Sequence, residues 1–250
     1  IAIDGNDGST LWTVTTRNEM FTSPLFFDYN GDNIDDVLIG GRDAELRLID
    51  GQNGNVIWQF WDDENLNPND SGWYNFYSSQ IIKDQNGDTY PDILTANGGD
   101  HSLDFSELDR PPGHIMIING ITGEALKTAV VPDSNETYMS PIICDLNGDG
   151  NHQIIFGTGG ESVNGNLWIC NLSDLQNEDL SNAIPLIVNS QLGYIAPPAI
   201  GDLNNDGILD IVSQGFNGQL TAIDGNNYNI LWQYMLPNTE SSSSPIIGKF

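Results

Sequence analysis

Four nine-residue stretches hold the side chains best suited to chemistry: "DYNGDNIDD" at 28–36, "DQNGDTYPD" at 84–92, "DLNGDGNHQ" at 145–153 and "DLNNDGILD" at 202–210. Counted from the first aspartate, side-chain oxygens stand at positions one, three, five and nine. They belong to Asp28, Asn30, Asp32 and Asp36; Asp84, Asn86, Asp88 and Asp92; Asp145, Asn147, Asp149 and Gln153; and Asp202, Asn204, Asp206 and Asp210. A polar turn needs one or two such residues. An alternation held over nine positions suits a chain curled around a cation, with the backbone carbonyl of position seven as a further ligand. Those carbonyls belong to Ile34, Tyr90, Asn151 and Ile208.

Hard oxygen donors in this number suit Ca2+; Mg2+ demands a tighter octahedron, and zinc would want His or Cys. The spacing begins like an EF-hand loop. Position twelve, however, is Ile39, Thr95, Phe156 or Ser213, never the bidentate Glu of that motif, and a strand follows instead of a helix. About four Ca2+ sites are expected, the third weakest because Gln153 is neutral.

The elements that must position these loops repeat with them, every 56 to 61 residues. Each unit opens on a short apolar strand ("SPLFF", "SSQII", "SPIIC", "PPAIG"). It passes through the acidic loop into "DVLIGG", "DILTANGG", "QIIFGTGG" or "DIVSQG", and two further strands follow. β-branched and aromatic runs of four to six residues, punctuated by Gly, Asn and Asp, read as strands and hairpins throughout. Helical periodicity is confined to a stretch around Leu172–Leu180.

Four antiparallel strands per repeat predict an all-β chain, a β-propeller of four-stranded blades. Complete blades are expected at 21–61, 77–131, 138–190 and 194–236. Residues 1–14 read as the end of another blade, and 241–250 as the first strand of a further one. A segment of a seven- or eight-bladed ring fits this count, with a strained five-bladed ring as the alternative.

Seven Lys and Arg against 35 Asp and Glu give a net charge of −28, which argues against nucleic acid, whose phosphates require basic partners. No apolar run is long enough to span a membrane. Cys144 and Cys170 fall on strands one and three of one blade, ~10 Å apart at the usual strand spacing, too far for a disulfide.

The pattern D-x-N-x-D-x-x-x-D between blade strands one and two resembles the calcium-binding FG-GAP/VCBS repeats of integrin α heads and many secreted bacterial proteins. The likeness implies calcium and a propeller, not an activity. A second resemblance lies in "DGSTLW", "DGQNGNVIW" and "DGNNYNILW", which are similar to the Asp-Gly-x-x-Gly-x-x-x-Trp docking element of PQQ-dehydrogenase-type propellers. It implies that Trp12, Trp58 and Trp232 wedge between blades. The second blade has Leu126 in place of Trp, and the third lacks the element.

A cation linking strands one and two would convert repulsion among loop carboxylates into folding stability. Millimolar affinity suffices in extracellular fluid, so a secreted or cell-surface protein is expected. The ligand face should be the opposite one, formed by the 2–3 and 4–1 connections. Two insertions there, 61–77 and 97–114, flank one blade and bring Trp61, Trp73, Tyr74, Phe76, Tyr77, His101, Phe105, Arg110 and His114. Of these, Trp61, Trp73, Tyr74, His101, Arg110 and His114 are the candidate ligand-binding set. The competing reading makes the aromatics caps of the blade core and pairs Arg110 with an aspartate.

The favoured function is a non-enzymatic binding, adhesion or scaffold module for a protein or carbohydrate ligand. The alternative is a polysaccharide lyase or hydrolase, which would use His or Tyr as base and Arg110 against a uronate carboxylate. That reading requires His101, His114 and Arg110 to meet in one pocket. A PQQ-type dehydrogenase ranks behind it, since neither an adjacent cysteine pair nor a basic cofactor pocket is evident.

Overall fold

A computed structural model describes residues 1–104, 106–189 and 191–248. A two-stranded hairpin, β1 (Ala2–Ile3) with β2 (Thr10–Trp12), precedes four antiparallel sheets. The first sheet runs in chain order through β3 (Leu25–Phe27), β4 (Asp36–Gly40), β5 (Leu46–Ile49) and β6 (Val56–Gln59). The second contains β7 (Asn75–Phe76), β8 (Gln80–Ile82), β9 (Asp92–Gly98), β10 (His114–Ile118) and β11 (Ala125–Val130). The third comprises β12 (Ile142–Cys144), β13 (Gln153–Gly157), β14 (Gly165–Asn171) and β15 (Ile184–Asn189). The fourth holds β16 (Ala199–Gly201), β17 (Asp210–Gln214), β18 (Gln219–Ile223) and β19 (Ile230–Met235).

The first, third and fourth sheets lie within the stretches expected as blades; the second begins earlier than the expected 77, because β7 lies inside the stretch read as the 61–77 connection. In the second blade the innermost strand is split: β7 pairs with Asn97 and Gly98, while β8 pairs with Asp92–Leu94, both on β9. One short α-helix, α1 (Leu172–Gln176), lies in the predicted helical stretch and serves as the 3–4 connection of the third blade. Residues 241–248 form no strand, and no second strand lies beside them among the described residues. Ile247 sits against Gly201 instead.

The core is three apolar slabs, each between consecutive sheets. One joins Leu38, Leu48 and Trp58 to Phe76, Ile93, Met116 and Ile118. The next joins Leu94, Ala96, Ile115 and Ile117 to Ile154, Phe156, Trp168 and Cys170. The last joins Ile155, Leu167 and Ile169 to Ile211 and Ile223. Successive residues of β10 therefore face opposite slabs, which explains why the run "IMII" is apolar throughout rather than alternating. Ile115, Met116, Ile117 and Ile118 are all fully buried.

Tryptophans lock two of the blade interfaces. The Trp12 indole donates to the Gly51 carbonyl (2.9 Å) and its ring lies over Gly54; the Trp58 indole donates to the Gly120 carbonyl (2.9 Å) and lies over Gly123. Gly54 and Gly123 have φ of +78° and +74°, and a Cβ there would strike the ring. The two departures from this element compensate one another. Where Leu126 replaces Trp on β11, the facing turn is replaced by α1, and Leu126, Leu172, Leu175 and Leu180 share one slab. Where β15 has no Trp, Leu186 and Ile187 meet Tyr228, which stands where the other turns have Gly.

The cysteines are free. Cys144 pairs across the sheet with Gln153 and Cys170 with the next residue, Ile154, so the two side chains leave opposite faces. Burial pushes the thiols up to about 11 and about 12, which disfavours the reactive thiolate.

Candidate functional site

All four acidic loops share one backbone device. Positions four and six are left-handed in each: Gly31 and Asn33, Gly87 and Thr89, Gly148 and Gly150, Asn205 and Gly207. Two such residues in alternation curl the chain, which draws positions one, three and five toward a common centre. Sequence spacing implies the curl; the left-handed residues at positions four and six, Gly or Asn everywhere but at Thr89, are its local cause.

The first aspartate organises each curl. Asp28 accepts from the amides of Gly31 (2.7 Å), Asp32 (3.2 Å) and Asn33 (2.9 Å). Asp84 accepts from Asn86, Gly87 and Thr89, Asp145 from Gly148, Asp149 and Gly150, and Asp202 from Asp206 and Gly207. Position five caps the amide of position seven in every loop, at 2.7–2.9 Å. The position-three amide group then donates to a carboxylate: Asn86, Asn147 and Asn204 to position five, and Asn30 to Asp36.

Position nine differs from the rest. Asp36, Asp92 and Asp210 are fully buried. Each accepts from the amide of position two, Tyr29 (3.0 Å), Gln85 (2.7 Å) or Leu203 (2.8 Å). Each also accepts from a glycine of its blade's own 3–4 turn: Gly51 (3.2 Å), Gly120 (3.2 Å) or Gly225 (3.0 Å). Burial pushes the carboxyls of Asp36 and Asp92 above the usual range, and the backbone donors only partly offset it. In the third loop, Gln153 accepts from Leu146 and donates its amide to the Asn151 carbonyl (3.1 Å), engaging the oxygen the other loops leave free of such a donor.

The donor chemistry of these loops fits a hard cation. Among the described residues, the ion pairs are Arg42–Glu19, Arg47–Glu45, His101–Asp43 and Arg110–Glu136, so no basic side chain neutralises a loop aspartate. As placed, no three carboxylate, imidazole or thiol groups among the described residues are gathered into a ready metal cluster. The amides of Asn30, Asn86, Asn147 and Asn204 stand against the carboxylates that a cation would draw together.

On the opposite face, the candidate ligand residues are divided among separate tasks. Trp73 packs edge-on against Phe60 (ring centroids 5.2 Å apart) and tilted against His114 (5.7 Å). The His114 Nδ1 is buried without a hydrogen-bond partner, and burial depresses its pKa. Trp61 donates to the Asp63 carbonyl, and Tyr74 is tied by its backbone to the side chain of Asn97. Phe76 is fully buried, and Tyr77 lies between Phe21 and Tyr138. Phe105 lies outside the described residues.

Arg110 is buried within its own loop, donating to the carbonyls of Glu107, Asp100 and Asp104, with Glu136 at 3.9 Å. His101 faces Asp43 at 3.6 Å. The structure therefore does not bring His101, His114 and Arg110 into one pocket. What does open on this side is a polar cavity of about 580 Å³ lined by Arg17, Asp43, Arg47, Gln59 and residues 63–68. Arg17 bridges the carbonyls of Asp43 and Trp61, joining that cavity to the first insertion. Arg17 and Arg47 carry no motif in the sequence; their one signal is that three of the four arginines fall within residues 17–47.

Residues 145–213, from the third loop to the second strand of the fourth blade, match the family model of the FG-GAP-like repeat. No curated protein matches the chain. Among solved structures it is similar to the quinohemoprotein alcohol dehydrogenase of Comamonas testosteroni, at 15% identity and a TM-score of 0.52, covering 80% of this chain and 34% of that one. A europium-containing methanol dehydrogenase is similar at 11% identity and a TM-score of 0.55, over 83% of this chain and 40% of the other. The Dos1 propeller is similar at 11% identity and a TM-score of 0.51, over 84% and 47%. The chain thus spans between a third and a half of the length of these structures. Likeness at such identities establishes the β-propeller fold and leaves activity open.

Proposed function

We propose that the chain is a calcium-stabilised β-propeller segment of an exported protein, acting as a non-enzymatic module that binds a protein or glycan. The observation that carries this reading is the set of four curled acidic loops with no basic partner, in a chain of net charge −28. Asp28, Asn30, Asp32 and Asp36, with the Ile34 carbonyl, would hold the first ion; the other loops would use their equivalents. The ion supplies positive charge that ties strand one to strand two. Millimolar binding, as in extracellular modules, would suffice. The opposite face would recognise the ligand through the cavity beside Arg17 and Arg47 and the insertion bearing Trp61.

Calorimetric titration of the EDTA-stripped chain with CaCl2 tests the metal half of the reading. Free calcium at a hundredfold excess over Kd should add ~2.7 kcal/mol per site, a rise in Tm of at least roughly 5 °C. Equal melting in calcium and in EDTA would refute it. A glycan array probed with the wild type and with Arg17→Ala/Arg47→Ala tests the ligand face: signals lost in the double variant support the assignment.

A further inference from the structure

We propose that cation binding at the first and second acidic loops sets the docking of Trp12 and Trp58 against the neighbouring blade. This coupling presupposes the cation loops proposed above. The route is short. Gly51 gives its N–H to the buried Asp36 (3.2 Å), and its carbonyl receives the Trp12 indole (2.9 Å). Gly120 repeats the arrangement between Asp92 (3.2 Å) and Trp58 (2.9 Å). Each glycine is thus held by the loop of its own blade on one side and by the tryptophan of the preceding blade on the other.

Both glycines are packed closely against their surroundings. A Cβ on Gly51 would strike the Asp35 carbonyl, and one on Gly120 would strike the Pro91 carbonyl and the Tyr29 ring. Asn119 adds a second tie, donating its amide to Asp88 of the second loop (2.9 Å). Without a cation, the loop carboxylates repel, and the two buried aspartates face only neutral donors. A bound cation would fix the direction of these carboxylates and so hold them in line with the glycine amides they accept from. The other two loops lack the relay: Gln153 replaces the aspartate in the third, and among the described residues no indole donates to Gly225 in the fourth. Linkage requires the converse, that docking of a tryptophan tightens its loop for the ion by the same factor.

The test uses the full 250-residue chain with 15N-labelled tryptophan, stripped with EDTA and titrated with CaCl2, alongside calorimetry. The six indole signals are assigned by Trp→Phe variants. The Trp12 and Trp58 signals should shift along the binding isotherm. Those of Trp61, bonded to Asp63 on the opposite face, and Trp232 should stay in place. Trp58→Phe should weaken ion binding at the second loop about fivefold, and Trp12→Phe should do the same at the first. Ion binding that leaves both signals still, or that is unaltered in both variants, overturns the coupling while the cation loops stand. No ion binding by calorimetry overturns both.

Discussion

At the scale of residues, the acidic loops are built as much by backbone as by charge. Positions four and six must be left-handed, and Thr89 holds such a position at φ +78° with a β-branched side chain. Thr89→Asn should relieve this and stabilise the fold by roughly 1 kcal/mol, read from urea melts in EDTA; a loss of stability would contradict the strain assignment. Gln153→Asp should restore the buried carboxylate of the other loops and release the Asn151 carbonyl. It is expected to tighten the third site about tenfold, ~1.4 kcal/mol, measured by calorimetric titration. The alternating oxygens were plain in the sequence because they recur four times at one spacing. The second task of position nine, binding the 3–4 turn through Gly51, Gly120 and Gly225, was not. It joins residues some 15 to 28 apart that only blade folding brings together.

Strands and turns show the same division. Strand order and loop placement follow from apolar runs and Gly-rich turns, so the four blades could be read directly. The split of β7 from β8 could not, since no breaker residue separates Phe76 from Gln80. Arg110 illustrates a further limit: residue type suggested a ligand contact, but the 97–114 loop folds back so that its own carbonyls consume the guanidinium. The interface plugs belong to this scale as well. Leu126 and α1 fill the space that Trp and a glycine turn fill elsewhere, so Leu126→Trp alone should overpack that interface and cost about 1–3 kcal/mol. A thermal melt at or above the wild-type Tm would show that the two plugs are independent.

For the molecule as a whole, acidity should act in two opposed windows. Glu45 and Glu136 are buried and held above the ordinary 4.5 by desolvation, so the folded chain binds protons that the unfolded chain has released. Stability should therefore rise as pH falls from 7.5 through their raised values toward 4.5, helped by relief of the −28 charge. Asp84, Asp88 and Asp149 are held below the ordinary 3.8, chiefly by backbone N–H donors. Their contribution is lost as pH falls below 3.8 through the lowered values. Urea midpoints in EDTA should peak on the acid side of neutral, and a steady decline from pH 7.5 downward would contradict this.

The three core slabs share no side chain. Energetically, then, each sheet communicates only with its immediate neighbours, as in a one-dimensional lattice. Amide deuteration should reach the second and third sheets last, at β13 and at β10, since each of these strands carries slab residues on both faces. A lesion in the fourth sheet would lower the protection of β13 and leave that of β10 intact.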